Sequence, residues 1–245
     1  MKPLTFINRL IQPVKITIFP SFCKVCGRLL EKSDEKIVCQ ECLSRVEIHR
    51  GLVCQVCGRF LYHETTGSST CLECQKNPPP FTRHRSLGPY SGRLKELIIL
   101  FKYKGYEALS QPLAGLAYKN FITDGLFPGV DFILPVPLYR LKERDRGFNQ
   151  AELLARELSR LSRRPVLKGV LVKTKNTAAQ VSLEAKARES NLKGAFAVRK
   201  PEKIQGCTLL LVDDVYTTGS TIRECAQVLR QAGAREIRAL TLARA

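Results

Sequence analysis

The 245-residue sequence has no long run of apolar residues. A membrane-spanning helix needs about 18 apolar residues in succession, and runs such as Leu97–Phe101 are far shorter, which excludes a transmembrane helix. Apolar residues still make up 44% of the chain, a normal share for a folded protein, so wholesale disorder is excluded as well. Residues 2–22 contain charged side chains and prolines but no small-residue cleavage motif, so we expect no secretory signal peptide and a cytoplasmic location.

Histidine is scarce, and the positions of the three histidines limit the kinds of catalysis that we expect. His49, His63 and His84 all precede residue 88, where we expect a second domain to begin. A catalytic triad or a histidine general base needs an imidazole beside the reacting group. We therefore expect the second domain to act without a histidine base and without a Ser-His-Asp triad.

Acidic residues are few beside the basic ones, and the formal net charge is +18. The excess is spread over the chain, with +6 in residues 1–87 and +12 in residues 88–245. A basic surface attracts phosphates, so nucleic acid is a candidate partner, whereas solubility and ion pairs are the alternative roles of the charge. The aromatic residues that we expect to stack on unpaired bases, unless they belong to the core, are Phe60, Tyr62, Tyr103 and Tyr106.

Cysteine, in contrast, is plentiful and regularly spaced. Eight of the ten cysteines form four Cys-x-x-Cys pairs, namely Cys23/Cys26, Cys39/Cys42, Cys54/Cys57 and Cys71/Cys74. Two such pairs supply the four thiolates of a tetrahedral zinc site, so eight thiolates predict two structural zinc ions. A disulfide framework would need an oxidising compartment, and redox chemistry is typical of a lone pair, so zinc is the favoured interpretation.

The spacing alone leaves the pairing of these knuckles open between two ribbons in series and an interleaved arrangement. Gly27 and Gly58 each follow the second cysteine of a knuckle, within a repeat of Val-Cys-Gly-Arg whose period is 31 residues. This repeat favours two ribbons in series. Cys207 and Cys225 lie far from the repeat, and we expect both to be buried as small apolar residues.

Composition divides the chain into three parts. Residues 1–22 have apolar side chains at helical spacing and form an amphipathic lead-in, which covers another domain or docks on a membrane surface or a partner. Residues 23–80 form the cysteine module, which is too small for a large core and therefore depends on metal. Residues 88–245 have the length of a full domain.

The second domain alternates between helical and strand patterns. Helices are predicted at Gly92–Tyr103, Leu109–Phe121, Gln150–Leu161 and Thr221–Ala232. Strands are predicted at Asp131–Val136, Val166–Val172, Ala195–Val198, Thr208–Val212 and Glu236–Leu242. This alternation predicts an α/β fold, a parallel sheet flanked by helices, with ligands at the carboxyl ends of the strands.

The most informative segment is Leu209–Thr221. An apolar strand is followed by Asp213 and Asp214 and then by a loop of small and hydroxyl residues that opens a helix. Amides at a helix N-terminus bind anions, and Gly219 lets the backbone approach a ligand closely. The paired acids suit hydroxyl donors or a metal, so the segment predicts a site for a ribose 5-phosphate. A plain strand-to-helix turn with an N-cap threonine is the alternative.

This segment resembles the PRPP-binding signature of type I phosphoribosyltransferases. Further motifs follow the knuckles in the order Tyr103-Lys104-Gly105, Pro135-Val136-Pro137-Leu138, Arg146-Gly147-Phe148-Asn149-Gln150, Asn191-Leu192-Lys193-Gly194-Ala195-Phe196 and Leu242-Ala243-Arg244. With these motifs, the chain is similar over nearly its whole length to the ComF (competence protein) family. The resemblance implies a type I phosphoribosyltransferase fold preceded by a double zinc ribbon.

The resemblance also implies roles for individual residues. Asp213 and Asp214 hold the ribose hydroxyls. The 5-phosphate is wrapped by Tyr216, Thr217, Thr218, Gly219, Ser220 and Thr221. The loop Pro137–Gln150, with Arg140 and Arg146, contacts pyrophosphate, or its last five residues form part of the site wall. A solvated basic turn is the alternative. A flexible hood, Lys173–Asn191, closes over PRPP, and its Lys175 and Arg188 neutralise the leaving pyrophosphate together with Mg²⁺.

Three functions follow as hypotheses. In the first, the protein binds PRPP with Mg²⁺ and single-stranded DNA and acts in DNA uptake during natural transformation. The resemblance then implies the competence machinery with its helicase as a partner and the inner face of the membrane as a location. In the second, it is a metabolic transferase that adds a base or amine to PRPP. In the third, it is a non-catalytic ligand sensor or DNA clamp. The acceptor and the occurrence of turnover stay open.

Overall fold

Four parallel strands form the central sheet of the computed structural model, which describes residues 21–31, 35–61, 69–176 and 192–245. The described residues contain six strands, which are β1 (Arg83–Pro89), β2 (Phe132–Pro135), β3 (Leu171–Lys173), β4 (Phe196–Val198), β5 (Thr208–Tyr216) and β6 (Glu236–Arg244). The sheet has the order β1-β6-β5-β2, with β5 and β6 at its centre. β3 and β4 form a separate antiparallel pair.

Seven helices lie in the described part of the chain. They are α1 (Gln40–Ser44), α2 (Leu72–Lys76), α3 (Gly92–Tyr103), α4 (Ser110–Phe121), α5 (Arg140–Arg146), α6 (Gln150–Ser162) and α7 (Ser220–Gln231). Short 3-10 helices occupy Glu107–Leu109 and Pro201–Lys203. Four apolar residues of α3 recur at positions i, i+3, i+4 and i+7 and are buried, which fixes one face of this helix on the sheet. They are Leu94, Leu97, Ile98 and Phe101.

Both faces of the sheet are covered, because neighbouring side chains of β5 point to opposite sides. Leu210 and Val212 join a buried cluster with α3, α4 and most of α6. Leu209 and Leu211 join a second cluster with α7. A strand buried on both faces must be apolar throughout, which explains the uninterrupted run at the start of β5.

The two cysteine ribbons pack against opposite sides of this arrangement. Cys23, Cys39 and Cys42 belong to the cluster around α3 and α4. The four cysteines of the second ribbon, Cys54, Cys57, Cys71 and Cys74, belong to the cluster around α7. The ribbons are therefore attached to the sheet at two separate places.

The predicted strands and helices of the second domain are largely present, and the differences have physical causes. β1 is not among the predicted strands, and residue 88, where the second domain is predicted to start, lies inside it. Val166–Val172 is not one strand, because Val166 forms an isolated bridge to Ile133 and Leu171 begins β3. The predicted loop Pro137–Gln150 contains α5, which Gly147 ends with a positive φ of 83°.

The two cysteines outside the ribbons differ from each other. Cys225 on α7 is completely buried, as predicted. The prediction for Cys207 is wrong, since this residue is only partly buried and its Sγ lies near backbone carbonyl oxygens in the turn after Pro201–Lys203. Residues 1–20 of the predicted lead-in lie outside the described residues. Among the helices described here, none combines the length and the apolar character needed to cross a membrane.

Candidate functional site

The loop between β5 and α7 makes a tight turn around Gly219. This residue has a φ of 79°, and a Cβ built on it would lie 2.1 Å from the hydroxyl oxygen of Tyr216. Only glycine fits this position, because both the backbone conformation and the close contact exclude a side chain. Thr218 and Ser220 place their hydroxyl oxygens 2.9 Å apart beside the first turn of α7. Hydroxyl donors and the amides of a helix N-terminus are thereby gathered in one turn.

Asp213 and Asp214 lie at the carboxyl end of the sheet, just before this turn. The backbone N–H of Asp214 donates to Oδ1 of Asp213 over 2.9 Å. Asp214 is 7% exposed, and Lys102 Nζ lies 2.8 Å from its Oδ2. The lysine is the penultimate residue of α3, so the end of this helix is linked to the end of β5.

Asp213 is buried beside the Asp214 carboxylate, and both conditions change its protonation. Burial, followed by the neighbouring Asp214 carboxylate, raises the pKa of Asp213 to about 7. Burial by itself would lower the pKa of Lys102, but the charge and hydrogen bond of Asp214 raise it overall. The site therefore holds an anion that is paired with a lysine and an acid that retains a proton more readily than usual.

Three further cations, Lys142, Arg146 and Lys173, interact electrostatically with one another or with Lys102 and Asp213. Burial and the nearby positive charge of Lys142 lower the pKa of Lys173, whereas the negative charge of Asp213 acts to raise it. Burial lowers the pKa of Lys142 too, followed by the charges of Arg146 and Lys102. Cations that perturb one another in this way lie close together, and such a cluster suits a ligand with several negative charges. Lys102 was missed in the sequence, although it directly precedes the quoted Tyr103-Lys104-Gly105 motif.

The predicted cations of the segment Pro137–Gln150 occupy different surroundings. Arg146 donates from Nη1 to Oε1 of Gln150 over 2.6 Å, and its Cζ lies 5.7 Å from the centre of the Tyr103 ring. Gln150 in turn donates to the carbonyl oxygen of Lys102 over 3.4 Å. Arg146 is thus connected to the acids through Gln150 and Lys102, whereas Arg140 is exposed at the first residue of α5.

The predicted hood, Lys173–Asn191, is described only at its beginning, residues 173–176. Lys175 is exposed just after β3, and its Nζ donates to the carbonyl oxygen of Lys193 over 3.3 Å. Residues 177–191, and with them Arg188, lie outside the described residues. The roles of Lys175 and Arg188 toward pyrophosphate stay predictions.

The eight knuckle cysteines form two clusters, Cys23/Cys26/Cys39/Cys42 and Cys54/Cys57/Cys71/Cys74, in each of which all Sγ atoms lie within 4.8 Å of one another. The pairing is therefore serial, as the repeat favours, and not interleaved. Three of the Sγ–Sγ distances are 3.7, 3.7 and 3.8 Å. Bonds of about 2.3 Å from zinc to sulfur give tetrahedral edges of about 3.8 Å, so the cysteines fit structural zinc.

His84 contradicts the expectation that every histidine lies outside the second domain. It sits on β1, it is fully buried, and its ring centre lies 4.2 Å from that of Tyr216. Burial lowers the pKa of His84 to about 3, so the ring is neutral. Nδ1 lies 2.9 Å from the carbonyl oxygen of Cys57 and therefore donates, while Nε2 accepts from the hydroxyl of Thr241 at 3.0 Å. Both nitrogens are occupied, which suits a structural role rather than a general base.

The sequence matches two family models. Residues 15–77 match the double zinc ribbon domain, and residues 144–245 match the phosphoribosyl transferase domain. The second match includes the Asp213–Thr221 segment, and the first includes all eight knuckle cysteines. Together with the parallel sheet, these matches establish a phosphoribosyltransferase-type α/β domain behind a zinc ribbon module.

Relatives with similar sequences cover most of the chain. Competence protein F of Haemophilus influenzae is 35% identical, over 84% of this chain and 96% of its own length. DNA utilization protein YhgH of Escherichia coli is 32% identical, over 92% of this chain and 97% of its own length. Competence protein ComFC of Bacillus subtilis is 30% identical, over 88% of this chain and 87% of its own length. The chain therefore belongs to the ComF family of competence proteins.

Proposed function

We propose that this protein binds PRPP with Mg²⁺ at the carboxyl end of β5, binds single-stranded DNA on the adjoining basic surface, and acts in DNA uptake. The observation that carries the PRPP proposal is the turn at Gly219, which follows directly on the paired acids Asp213 and Asp214. One ligand that presents a phosphate beside two neighbouring hydroxyls satisfies both halves of this arrangement.

Each part of the site has a role toward PRPP. The turn from Tyr216 to Thr221 receives the 5-phosphate, and Asp213 and Asp214 accept hydrogen bonds from the ribose hydroxyls. Lys102 holds Asp214 in place through the 2.8 Å ion pair. Lys142, Arg146 and Lys173 provide positive charge for the pyrophosphate. Mg²⁺, which prefers oxygen ligands, would neutralise pyrophosphate oxygens in the bound ligand.

The DNA proposal is supported by the surface next to this site. Tyr103 is 64% exposed at the end of α3, with Lys102 Nζ 5.9 Å and Arg146 Cζ 5.7 Å from its ring centre. An exposed aromatic ring between cations suits an unpaired base with its phosphate. The names of the relatives, which refer to competence and DNA utilization, favour the same partner. The same proposal includes the helicase of the competence machinery as a partner and the inner face of the membrane as the location.

Binding of PRPP is tested by calorimetry on the zinc-loaded protein in the presence of Mg²⁺. The wild type is expected to bind, and the double variant Asp213→Asn/Asp214→Asn is expected to lose binding while it keeps two zinc ions. Arg235→Gln is the matched surface control, since Arg235 lies at the opposite end of the sheet beside Thr208. Unchanged PRPP affinity in the double variant would show that the site is elsewhere.

Transfer of ribose 5-phosphate to a base or amine is the second candidate, and the match to the phosphoribosyl transferase domain favours it. Displacement at ribose C1 releases pyrophosphate, which is measured with a panel of bases and amines. Pyrophosphate release that depends on one acceptor would establish a transferase. PRPP binding without release for any acceptor would favour a sensor or a DNA clamp.

A further inference from the structure

The second ribbon touches the sheet through the backbone carbonyl of one of its cysteines. The carbonyl oxygen of Cys57 accepts two hydrogen bonds, from Nδ1 of His84 at 2.9 Å and from Nη1 of Arg244 at 2.8 Å. The donors come from β1 and from the end of β6. Two adjacent strands are thereby bonded to one atom of the zinc knuckle.

These two donors also enclose Tyr216, the first residue of the phosphate loop. The centre of the His84 ring lies 4.2 Å and the Arg244 Cζ lies 4.4 Å from the centre of the Tyr216 ring. The ring is 3% exposed, and its hydroxyl fills the space beside Gly219. A displacement of Tyr216 would therefore move the turn that carries the phosphate-binding amides.

The second ribbon is bound to β1 by further buried contacts. Arg85 is 3% exposed, and its guanidinium donates to the carbonyl oxygen of Gln55 at 3.1 Å and to Asp124 Oδ2 at 2.7 Å. The backbone N–H of His84 donates to the carbonyl oxygen of Val56 at 2.7 Å. The first ribbon, in contrast, belongs to the cluster on the side of α3 and α4, which does not include Tyr216.

We propose that the second zinc ribbon holds the phosphate loop in its binding conformation, with Arg244 and His84 as positioning residues that transmit the constraint to Tyr216. The proposal rests on the proposed binding of a phosphate ligand by this loop. Its physical basis is the entropy of the loop. A loop that is already ordered loses little conformational entropy when the ligand binds, and the ligand is therefore bound more tightly. Zinc folds the knuckle, and the knuckle presents the carbonyl that both donors need.

The experiment compares two arginines of β6, Arg244 and Arg238, whose guanidinium groups both donate to backbone carbonyl oxygens. Arg244→Met removes the hydrogen bond to Cys57 and the cation over Tyr216. Arg238→Met is the matched control, because Arg238 also donates to backbone carbonyls, those of Gly125 and Pro128, but at the other end of the strand. Both variants are prepared as the full zinc-loaded chain, and zinc content is measured first.

Amide hydrogen exchange measures how often the loop opens in the absence of any ligand. We expect Arg244→Met to keep two zinc ions and to raise exchange in residues 216–221 by about tenfold or more, as expected when a charge-assisted hydrogen bond and a cation–π contact are lost. Arg238→Met should leave exchange in these residues unchanged. Equal exchange in the wild type and in Arg244→Met would overturn the proposal, whether or not PRPP binds.

Titration with PRPP and Mg²⁺ separates this proposal from the proposed function. If the wild type binds and Arg244→Met binds about tenfold more weakly at full zinc content, both stand, since a tenfold loss matches one such hydrogen bond. Unchanged PRPP affinity in Arg244→Met would overturn the positioning role alone. No PRPP binding by the wild type would overturn the proposed ligand, while the exchange measurement would still decide whether the ribbon constrains the loop.

A pair of cysteine variants tests the role of the ribbon itself. Cys57→Ser and Cys26→Ser occupy equivalent positions in the second and the first ribbon, and each should reduce the zinc content by one ion. Faster exchange in residues 216–221 is expected for Cys57→Ser and not for Cys26→Ser. The same acceleration in both variants would contradict a specific role of the second ribbon.

Discussion

Lys102 Nζ and Asp214 Oδ2 lie 2.8 Å apart, and this ion pair joins the end of α3 to the end of β5. The lysine side chain is 23% exposed and that of the aspartate is 10% exposed. Their partner atoms are therefore largely shielded from water, which strengthens the pair and makes the loss of one member costly.

Replacement of this lysine should destabilise the fold. Lys102→Met leaves Asp214 without its cation, and we expect the free energy of unfolding to fall by about 3 kcal/mol, the lower end for a broken buried pair because the lysine is partly exposed. Urea denaturation measures the change. Lys104→Met, two residues later and exposed, should change stability by less than about 0.5 kcal/mol. Equal effects of the two changes would contradict the role assigned to the pair.

The raised pKa of Asp213 predicts a pH dependence of stability. Between its ordinary value near 4 and about 7, the folded protein keeps a proton on Asp213 that the unfolded chain has released. This contribution to stability is therefore lost as the pH rises through that window, by up to about 1.4 kcal/mol for each pH unit. Asp213→Asn removes the titrating group, so its stability relative to the wild type should increase from pH 5 to pH 8. A constant difference would contradict the raised pKa.

Two zinc ions per chain are expected from the eight clustered thiolates. Metal analysis of the purified protein tests this number directly. Cys225→Ser should leave the zinc content at two, because this buried residue lies on α7 and outside both clusters. Cys74→Ser should reduce it by one. A zinc content that does not change in Cys74→Ser would contradict the assignment of Cys74 as a zinc ligand.

Glycine is required at position 219 by both its φ of 79° and the nearby Tyr216 hydroxyl. Gly219→Ala should therefore weaken PRPP binding at least tenfold, since an alanine in the left-handed region costs about 1–2 kcal/mol even before the clash is counted. Gly115→Ala is the control, because a Cβ at this helical position meets nothing within 4 Å. It should preserve binding, and alanine should stabilise α4 by up to about 1 kcal/mol.

Tyr103 is expected to stack on a base of single-stranded DNA. Tyr103→Ala should weaken binding by about 1–3 kcal/mol, the cost of losing one stacked base. Tyr103→Phe retains the ring and should bind nearly as well as the wild type. Fluorescence anisotropy at low and moderate salt measures both variants. Identical affinities of Tyr103→Ala and the wild type would remove this residue from the DNA-binding surface.

The strand, turn and helix from Thr208 to Gln231 could be predicted because every signal there is local. A continuous apolar run indicates a buried strand, and Gly219 with its hydroxyl neighbours indicates a turn before a helix. The knuckle cysteines were predictable for the same reason, since their ligand spacing is a property of short segments. The hydrogen bonds that extend β5 to Tyr216 and β6 to Arg244 were not evident from the apolar pattern, which ends earlier.

β1 and Lys102 were missed because their environment is created by distant residues. The polar sequence Arg83-His84-Arg85 is typical of an exposed segment. In the structure, however, Arg85 is buried and donates hydrogen bonds to Asp124 and to a carbonyl oxygen of the second ribbon. Lys102 reads as part of the solvent-exposed face of an amphipathic helix until Asp214 is brought beside it. Such residues are recognised only when the fold supplies the partner charge.

The attachment of the two ribbons to opposite sides of the sheet has a consequence for how the molecule unfolds. Residues from each ribbon and from the sheet share the same buried clusters, so neither part can lose its structure without exposing apolar surface of the other. The domain boundary that composition indicates near residue 80 therefore does not separate two parts that unfold independently. Heating should melt ribbons and sheet in one transition, with both metal ions released at the same temperature at which the sheet is lost.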